Sequence, residues 1–317
     1  MDSLTQIALG ASVSAAVGFK PFGRKVLITG ALLGTLPDLD VLLNYHTAID
    51  NFTFHRSFSH SLFVLSALSL LLYWLVLLFK PKLSTHKLSL FLVIFLPLIT
   101  HPLLDAFTTY GTQLWWPMNS PPISLSSIFI IDPLYTIPLL IAGIGLWIKQ
   151  NSQKWYNINL LMLSISSVYL IQGYAQHWYI KHQVMSDPIT NNSQIFISPA
   201  PFNTVIWRVL SYHDDVYYEA FTNVLNDTPL KWQTFSTGRA LIDQFDSTEL
   251  QRLEWFSGGL LQFVEEDKKL VATDLRIGLT HFYPFSFSLA ERHKQWKSIP
   301  STKIPQADIE WRKVLKW

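Results

Sequence analysis

The sequence predicts a membrane α-helical bundle of about six helices followed by a soluble, mainly β domain of the α+β class. Only 15% of the 317 residues are charged, against about 25% in average proteins, and the deficit lies mainly before residue 175. After that point charges appear, and short strand-like runs alternate with prolines and turns. We therefore expect a transmembrane domain over residues 1–175 and a soluble domain over residues 176–317.

Six apolar stretches account for the predicted helices. The clearest is Leu62–Phe79, which carries no charge and has about the length that crosses a bilayer. The others lie at residues 4–17, 26–36, 88–106, 134–148 and 158–171. The first two of these are rich in small residues, which let helices approach closely in a bilayer, so we expect them to form a tight pair.

Basic residues in the short loops predict the orientation of the bundle. The loops after the first, third and fifth helices hold Lys20, Arg24, Lys25, Lys80, Lys82, Lys87, Lys149 and Lys154. Because positively charged loops stay in the cytoplasm, the opposite ends of the helices are expected on the extracytoplasmic face. The soluble domain follows the sixth helix and is expected on that face too.

Three polar clusters at the ends of these stretches converge on the extracytoplasmic face. They lie at residues 37–40, 55–60 and 101–105. Ionisable groups at membrane depth are costly and are therefore candidates for function, and imidazoles with carboxylates form a donor set for divalent metals. Each cluster alone is ambiguous, but together they favour a metal site. The candidate ligands are Asp38, Asp40, His55, His60, His101 and Asp105.

Local spacing gives an expectation for each cluster. His101 and Asp105 are four residues apart and share one face of a helix. Asp38 and Asp40 would point to the same side of an extended segment; alternatively, Asp38 caps a helix-ending turn. Ser59 is the expected N-cap of the Leu62–Phe79 helix, which would put the next residue, a histidine, in the first turn.

Arg56 and the segment 110–133 each allow two interpretations. Arg56 either binds an anionic group of a substrate or anchors the protein to lipid headgroups. The segment 110–133 is rich in proline and tryptophan and is either a lid over the site or an interfacial loop with aromatic anchors.

Composition excludes several classes of protein. The chain has no cysteine, which rules out disulfides, zinc–thiolate sites and cysteine nucleophiles. Its net charge of +2 gives no reason to expect a nucleic acid partner. There is no glycine-rich phosphate loop, and no Gly-x-Ser-x-Gly elbow indicates a serine hydrolase.

These motifs resemble those of the membrane-bound metal-dependent hydrolases, whose bacterial members are also described as LexA-binding inner-membrane hydrolases. The resemblance is carried by residues 1–6, 34–40, 55–61, 100–105 and 108–111. It implies a multi-pass bacterial or archaeal inner-membrane protein whose metal centre uses the six candidate ligands named above. The chain departs from the pattern at Gln6, where many relatives carry histidine; if that histidine is a ligand, this site holds one ion fewer.

The sequence thus supports two main hypotheses. The first is a hydrolase with one or two divalent ions, zinc or manganese before others, acting on a lipid or lipid-linked phosphoester. In it Asp105 or Asp40 acts as general base and Arg56 binds anionic charge. The second is a membrane scaffold or regulator with a structural metal or a His–Asp network, binding an unidentified protein. A LexA-binding role needs a cytoplasmic surface, whereas the expected topology places the soluble domain outside. A transporter is a third, weaker option.

Overall fold

The chain divides into two compact units, each discontinuous in sequence. The computed structural model describes residues 1–149, 152–225, 229–279, 282–293 and 295–305. Unit 1 comprises Met1–Leu42, Arg56–Tyr174 and Pro201–Asn203. Unit 2 comprises Leu43–His55, Ala175–Ala200 and Thr204–Trp317. The assignment of Leu43–His55 to unit 2 has no counterpart in the sequence pattern.

Unit 1 is helical. Its helices are α1 (Ser3–Phe22), α2 (Lys25–Thr35), α4 (Leu62–Phe79), α5 (Lys87–Ala106), α6 (Pro133–Ile148) and the part of α7 (Gln153–Val184) that precedes Ala175. Short 3₁₀ helices lie at Pro37–Leu42, Phe58–His60 and Pro81–His86. All six helices predicted from the apolar stretches are therefore present.

Not all of these helices have the length of a membrane span. Within the described residues, three are long and apolar enough to cross a bilayer: Leu62–Phe79, Pro81–Ala106 and Gln153–Val184. Helices α2 and α6 are apolar but shorter. All six expected helices therefore form, and three of them also have the length and apolarity of a membrane span.

The close pairing expected for the first two helices is confirmed by their glycines. A Cβ atom on Gly10 would lie 2.2 Å from the carbonyl oxygen of Gly30, and one on Gly34 would lie 2.7 Å from that of Gln6. Both distances are too short for any side chain, so only glycine permits this approach of two helix backbones. The contact also brings α1 and α2 against the end of α5 that carries His101. There the Gly34 carbonyl is bonded to the His101 ring, and the Gln6 side-chain amide donates to the His101 carbonyl.

The start of α4 differs from the expectation. Ser61, not Ser59, is the N-cap, and its hydroxyl accepts a bond from the amide of Val64. The Ser59 hydroxyl instead donates to Asp40 at 2.6 Å and lies 2.9 Å from His60 Nδ1. As a result, His60 lies in the 3₁₀ helix that precedes the cap rather than in the first turn of α4.

Unit 2 contains the predicted β structure as two four-stranded antiparallel sheets. The first joins β1 (Gln194–Pro199), β2 (Ile206–Tyr212), β3 (Val216–Asn223) and β4 (Gln233–Ser236) in sequence order. The second joins β5 (Leu261–Glu266), β6 (Lys269–Asp274), β7 (Ser286–Arg292) and β8 (Trp296–Lys303) in the same way. Between the sheets in sequence lies α8 (Thr248–Ser257), and 3₁₀ helices occur at Pro188–Thr190 and Arg239–Ile242.

The helix α3 (Ala48–Phe54) explains why its segment belongs to unit 2. The ring of Phe52 packs against those of Phe256, Phe285 and Phe287, with centroids 4.9, 4.5 and 5.3 Å away. The guanidinium of Arg252 donates to the Thr53 hydroxyl at 3.0 Å. This segment, which lies between two of the polar clusters in sequence, is therefore built into the core of unit 2.

Candidate metal centre

Four side chains of unit 1 converge on one point. They are Asp38, His60, His101 and Asp105, and one ligand atom from each lies within 4.8 Å of all the others. Asp38 comes from the 3₁₀ helix after α2, and His60 from the 3₁₀ helix before α4. His101 and Asp105 share one face of α5, as their spacing predicted. Three separate elements thus supply the group, so it forms only when the helices of unit 1 are packed.

The separations within this group suit a single ion. The His60 and His101 Nε2 atoms are 3.1 Å apart. Asp38 Oδ1 lies 3.5 and 3.3 Å from these two nitrogens, and Asp105 Oδ2 lies 3.2 and 3.5 Å from them. Four ligands placed tetrahedrally at about 2.0–2.1 Å from an ion are separated by about 3.3 Å. The five measured separations fall close to that value.

The hydrogen bonds of the two histidines leave their Nε2 atoms as acceptors. His101 Nδ1 lies 2.5 Å from the carbonyl oxygen of Gly34 and donates to it. His60 Nδ1 lies 2.9 Å from the Ser59 hydroxyl, which itself donates to Asp40 and therefore accepts from the imidazole. Each Nδ1 then holds the ring proton, and two Nε2 lone pairs face each other. A proton or a metal cation must lie between them.

One oxygen of the buried Asp105 carboxylate also lacks a hydrogen bond. Its Oδ2 atom has no hydrogen bond among the described residues, although Arg56 Nε lies 3.2 Å away, out of alignment. Its Oδ1 atom is contacted by the α-ammonium group of Met1 and by the Gln6 amide. A buried oxygen without a bond is costly, and a cation at the centre of the group would satisfy it. The residues present therefore fit a divalent metal.

The pKa shifts of His60 and Asp38 also indicate a site that attracts a cation. Burial alone would lower the pKa of His60, but the neighbouring carboxylates of Asp105 and Asp38 prevail and raise the pKa above 6.5. Burial acts to raise the pKa of Asp38, and the adjacent side chains of His101 and His60 hold it well below its usual value. Without a metal, the site thus draws in a proton to offset its negative charge.

Asp40 lies beside the group and does not belong to it. Its Oδ2 atom accepts from the Arg56 amide at 2.9 Å and from Ser59 at 2.6 Å, and it lies 3.7 Å from His60 Nδ1. The sequence suggested that Asp38 and Asp40 point to one side of an extended segment. They lie instead on a 3₁₀ helix, so they meet opposite nitrogens of His60. Asp38 faces the ion position, while Asp40 orients the ring from behind.

Arg56 is part of the interior. Its side chain is 4% exposed, which does not suit an anchor for lipid headgroups. The guanidinium donates to Thr108 at 3.2 Å and lies 5.0 Å from the centre of the Tyr110 ring. Its φ of 61° is unusual for a residue with a side chain, and such strain is concentrated at functional sites.

His55 is the candidate ligand that the structure places elsewhere. It ends α3, belongs to unit 2 and is absent from the four-residue group. Conversely, spacing did not predict that Met1 and Gln6 reach Asp105 across about a hundred residues of sequence. The signal for Gln6 was the resemblance, in which many relatives carry histidine at this position.

Residues 1–179 match the model of the YdjM inner membrane protein family. The chain belongs to this family. The matched region contains all four residues of the group. The family is one of inner membrane proteins, and three helices of sufficient length and apolarity agree with that location.

Two curated relatives are similar over part of the chain. YfhP of Bacillus subtilis, described as uncharacterized, is 27% identical over 208 residues, which cover 63% of this chain and 62% of that protein. The inner membrane protein YbcI of Escherichia coli is 30% identical over 114 residues, covering 36% and 64%. The matched part of the chain therefore spans less than two thirds of either relative. No solved structure matches the chain.

Proposed function

We propose that this protein is an integral membrane metal-dependent hydrolase that acts at the extracytoplasmic membrane face on a lipid or lipid-linked phosphoester. The observation that carries the proposal is the buried Asp38–His60–His101–Asp105 group, whose ligand atoms are spaced for one divalent ion. Such an ion supplies a Lewis acid that polarises a scissile bond and lowers the pKa of water. Its tetrahedral spacing favours zinc over manganese, which more often takes octahedral oxygen sites.

The roles of the chain's own residues follow from their exposure. His60, His101 and Asp105 are fully buried and hold the ion, whereas the side chain of Asp38 is 21% exposed. Asp38 is therefore the ligand-group carboxylate that water and substrate can reach, and we assign it as the acceptor of the water proton. Asp105 and Asp40, which the sequence favoured for this role, are buried. They hold the ion and orient His60, respectively.

Arg56 contributes positive charge beside this centre. Its Nε atom lies 3.2 Å from Asp105 Oδ2, and its other contacts fix the guanidinium in place. We propose that it balances the carboxylates and stabilises negative charge that develops on the substrate.

The membrane setting supports the substrate class. The group stands at the start of α4, at the end away from Lys80, and the basic loops predict that this end is extracytoplasmic. A substrate that reaches an active site at this level of a membrane is most simply a lipid or a lipid-linked ester.

One observation favours the second hypothesis, a structural metal in a scaffold protein. Four protein ligands make a closed tetrahedral site, which is typical of structural zinc, whereas catalytic sites keep an open position. The partial exposure of Asp38 is the feature that favours a catalytic site over a structural one.

The two functions are tested by comparing metal binding with turnover. The protein is reconstituted with zinc and assayed for phosphate release from phosphatidic acid and from p-nitrophenyl phosphate, with Asp38→Asn and His101→Ala as variants. The hydrolase predicts metal-dependent release that Asp38→Asn removes even at zinc concentrations that fill the weakened site. Stoichiometric metal that raises the melting temperature, without turnover of either ester, would support the scaffold.

A further inference from the structure

The exposed side of the metal group borders a row of apolar side chains. Leu39, Val41 and Leu42 lie on the same 3₁₀ helix as Asp38 and are 53%, 71% and 77% exposed. We call these three residues the apolar rim. The other acidic residue of this 3₁₀ helix, Asp40, is buried, so the surface it presents has Asp38 as its only charge.

A second set of exposed apolar side chains lies close in sequence to His60 and to the start of α4. Phe58 and Trp116 are 38% and 36% exposed, and their ring centroids are 6.2 Å apart. Phe63 and Trp115 form a similar exposed pair at 6.1 Å. Tryptophan concentrates where headgroups meet acyl chains. This pairing therefore marks the start of α4 as the interfacial level of the protein.

Helix lengths place the apolar rim at the same level. The 18 residues of α4 extend about 27 Å, and Lys87 to His101 on α5 spans about 21 Å at the same rise. A hydrocarbon core is about 30 Å thick. With the lysine ends at one surface, the group lies just inside the opposite edge. Helix α2 has only 11 residues, so its 3₁₀ continuation reaches this edge and not the far headgroups.

The 3₁₀ helix Pro37–Leu42 is also suited to the edge of the hydrocarbon core. Irregular backbone facing lipid is not tolerated in the hydrocarbon core, but a 3₁₀ helix satisfies part of its backbone internally, as the Leu39 amide does with the Leu36 carbonyl at 3.2 Å. At the boundary, the remaining groups meet headgroups and water while the apolar side chains enter the acyl layer.

We propose that the 3₁₀ helix Pro37–Leu42 inserts its apolar rim into the outer part of the bilayer, so that the metal group opens toward lipid. A lipid substrate then enters sideways from the membrane, with its acyl chains along the rim and its ester at Asp38. The sideways entry rests on the function proposed above. The insertion itself does not, because it follows from exposure, helix length and the aromatic pairs.

The chain offers a direct test because it has no cysteine. Val41→Cys and Leu42→Cys are each labelled with bimane in the full chain and reconstituted into vesicles of phosphatidylethanolamine and phosphatidylglycerol. Quenching is measured with a lipid that carries a nitroxide near the headgroup end of its acyl chain, and separately with aqueous iodide. Leu71→Cys, on the exposed surface of α4, is the lipid reference, and Glu266→Cys, on exposed β5, is the aqueous reference.

Insertion predicts that the lipid quencher acts on both rim labels at least about twofold more strongly than on Glu266→Cys, with iodide showing the reverse order. Rim labels that iodide quenches like the aqueous reference would overturn the proposal. Labels that neither quencher reaches would also overturn it, since a protein surface would then cover the rim. The measurement uses no metal and no substrate, so its failure is distinguishable from failure of the hydrolase.

Discussion

His60 and His101 face each other through their Nε2 atoms at 3.1 Å, while their Nδ1 atoms are bound to Ser59 and to the Gly34 carbonyl. This arrangement is unfavourable for two neutral rings, because both Nε2 lone pairs point at the same space. It becomes favourable when a cation occupies that space. The relationship of these two rings therefore links the fold of unit 1 to its chemistry, and the following predictions depend on it.

Metal affinity should depend on pH in a defined direction. The raised pKa of His60 means that the metal-free site holds a proton to above pH 6.5, and a metal must displace it. We expect the apparent affinity for zinc to fall about tenfold for each pH unit below that pKa. Competition with a chelating dye at several pH values measures this, and a flat profile would contradict it.

The stability of the metal-free protein should vary in the opposite sense. A group whose folded-state pKa is raised contributes stability that is present below its unfolded pKa and is lost as the pH rises through the folded one. The melting temperature without metal should therefore decrease above pH 6.5, while zinc should stabilise the protein more at alkaline pH. Thermal unfolding in detergent, with and without zinc, measures both trends; equal curves at all pH values would argue against a shared site.

Replacing Asp40 should weaken metal binding without abolishing it. Asp40 lies behind His60 and orients it, and loss of such a partner typically costs 10–100-fold in affinity. Asp40→Asn should show a decrease of about that size in a zinc titration. The matched control is Asp132→Asn, which removes the charge of the α6 N-cap but keeps a side chain that caps about equally well, so metal affinity should be unchanged. Complete loss in Asp40→Asn would make Asp40 a ligand.

The glycine contact between α1 and α2 should be sensitive to a single methyl group. In Gly10→Ala the new Cβ would lie 2.2 Å from the Gly30 carbonyl oxygen, and separating the helices should cost about 1–3 kcal/mol. Metal affinity should fall as well, because Gly34 on α2 orients His101. Gly143→Ala in α6 is the control, since nothing lies within 4 Å of the added atom. Thermal unfolding compares the pair, and equal melting temperatures would disprove the close contact.

Much of the fold of unit 1 was predictable from local pattern. The apolar stretches predicted the six helices because apolar composition is continuous along each of them. The spacing of His101 and Asp105 predicted one face of α5, because i and i+4 positions lie on the same side of any helix. In unit 2, the strand-like runs at residues 205–210, 216–220, 260–264 and 269–275 match β2, β3, β5 and β6, whereas no run predicted β1, β4, β7 or β8.

The remaining features depend on contacts distant in sequence. Phe52 joins unit 2 because its aromatic partners lie about two hundred residues later, and nothing within its own segment indicates this. The same segment assigns His55 to unit 2, and His55 is not among the four residues of the group although it adjoins Arg56 in sequence. Likewise, the Ser59 hydroxyl bonds to Asp40, a residue of another element, and Ser61 caps α4. Local pattern does not show which of the two serines is the cap.

The metal centre is tested most directly by the metal content of the protein purified in detergent without added metal, measured with His60→Ala and His101→Ala. We expect near-stoichiometric divalent metal in the parent protein and its loss in both variants, with helical content by circular dichroism unchanged. A parent protein that binds no metal even after reconstitution, with both variants folded normally, would show that these residues do not form a metal centre.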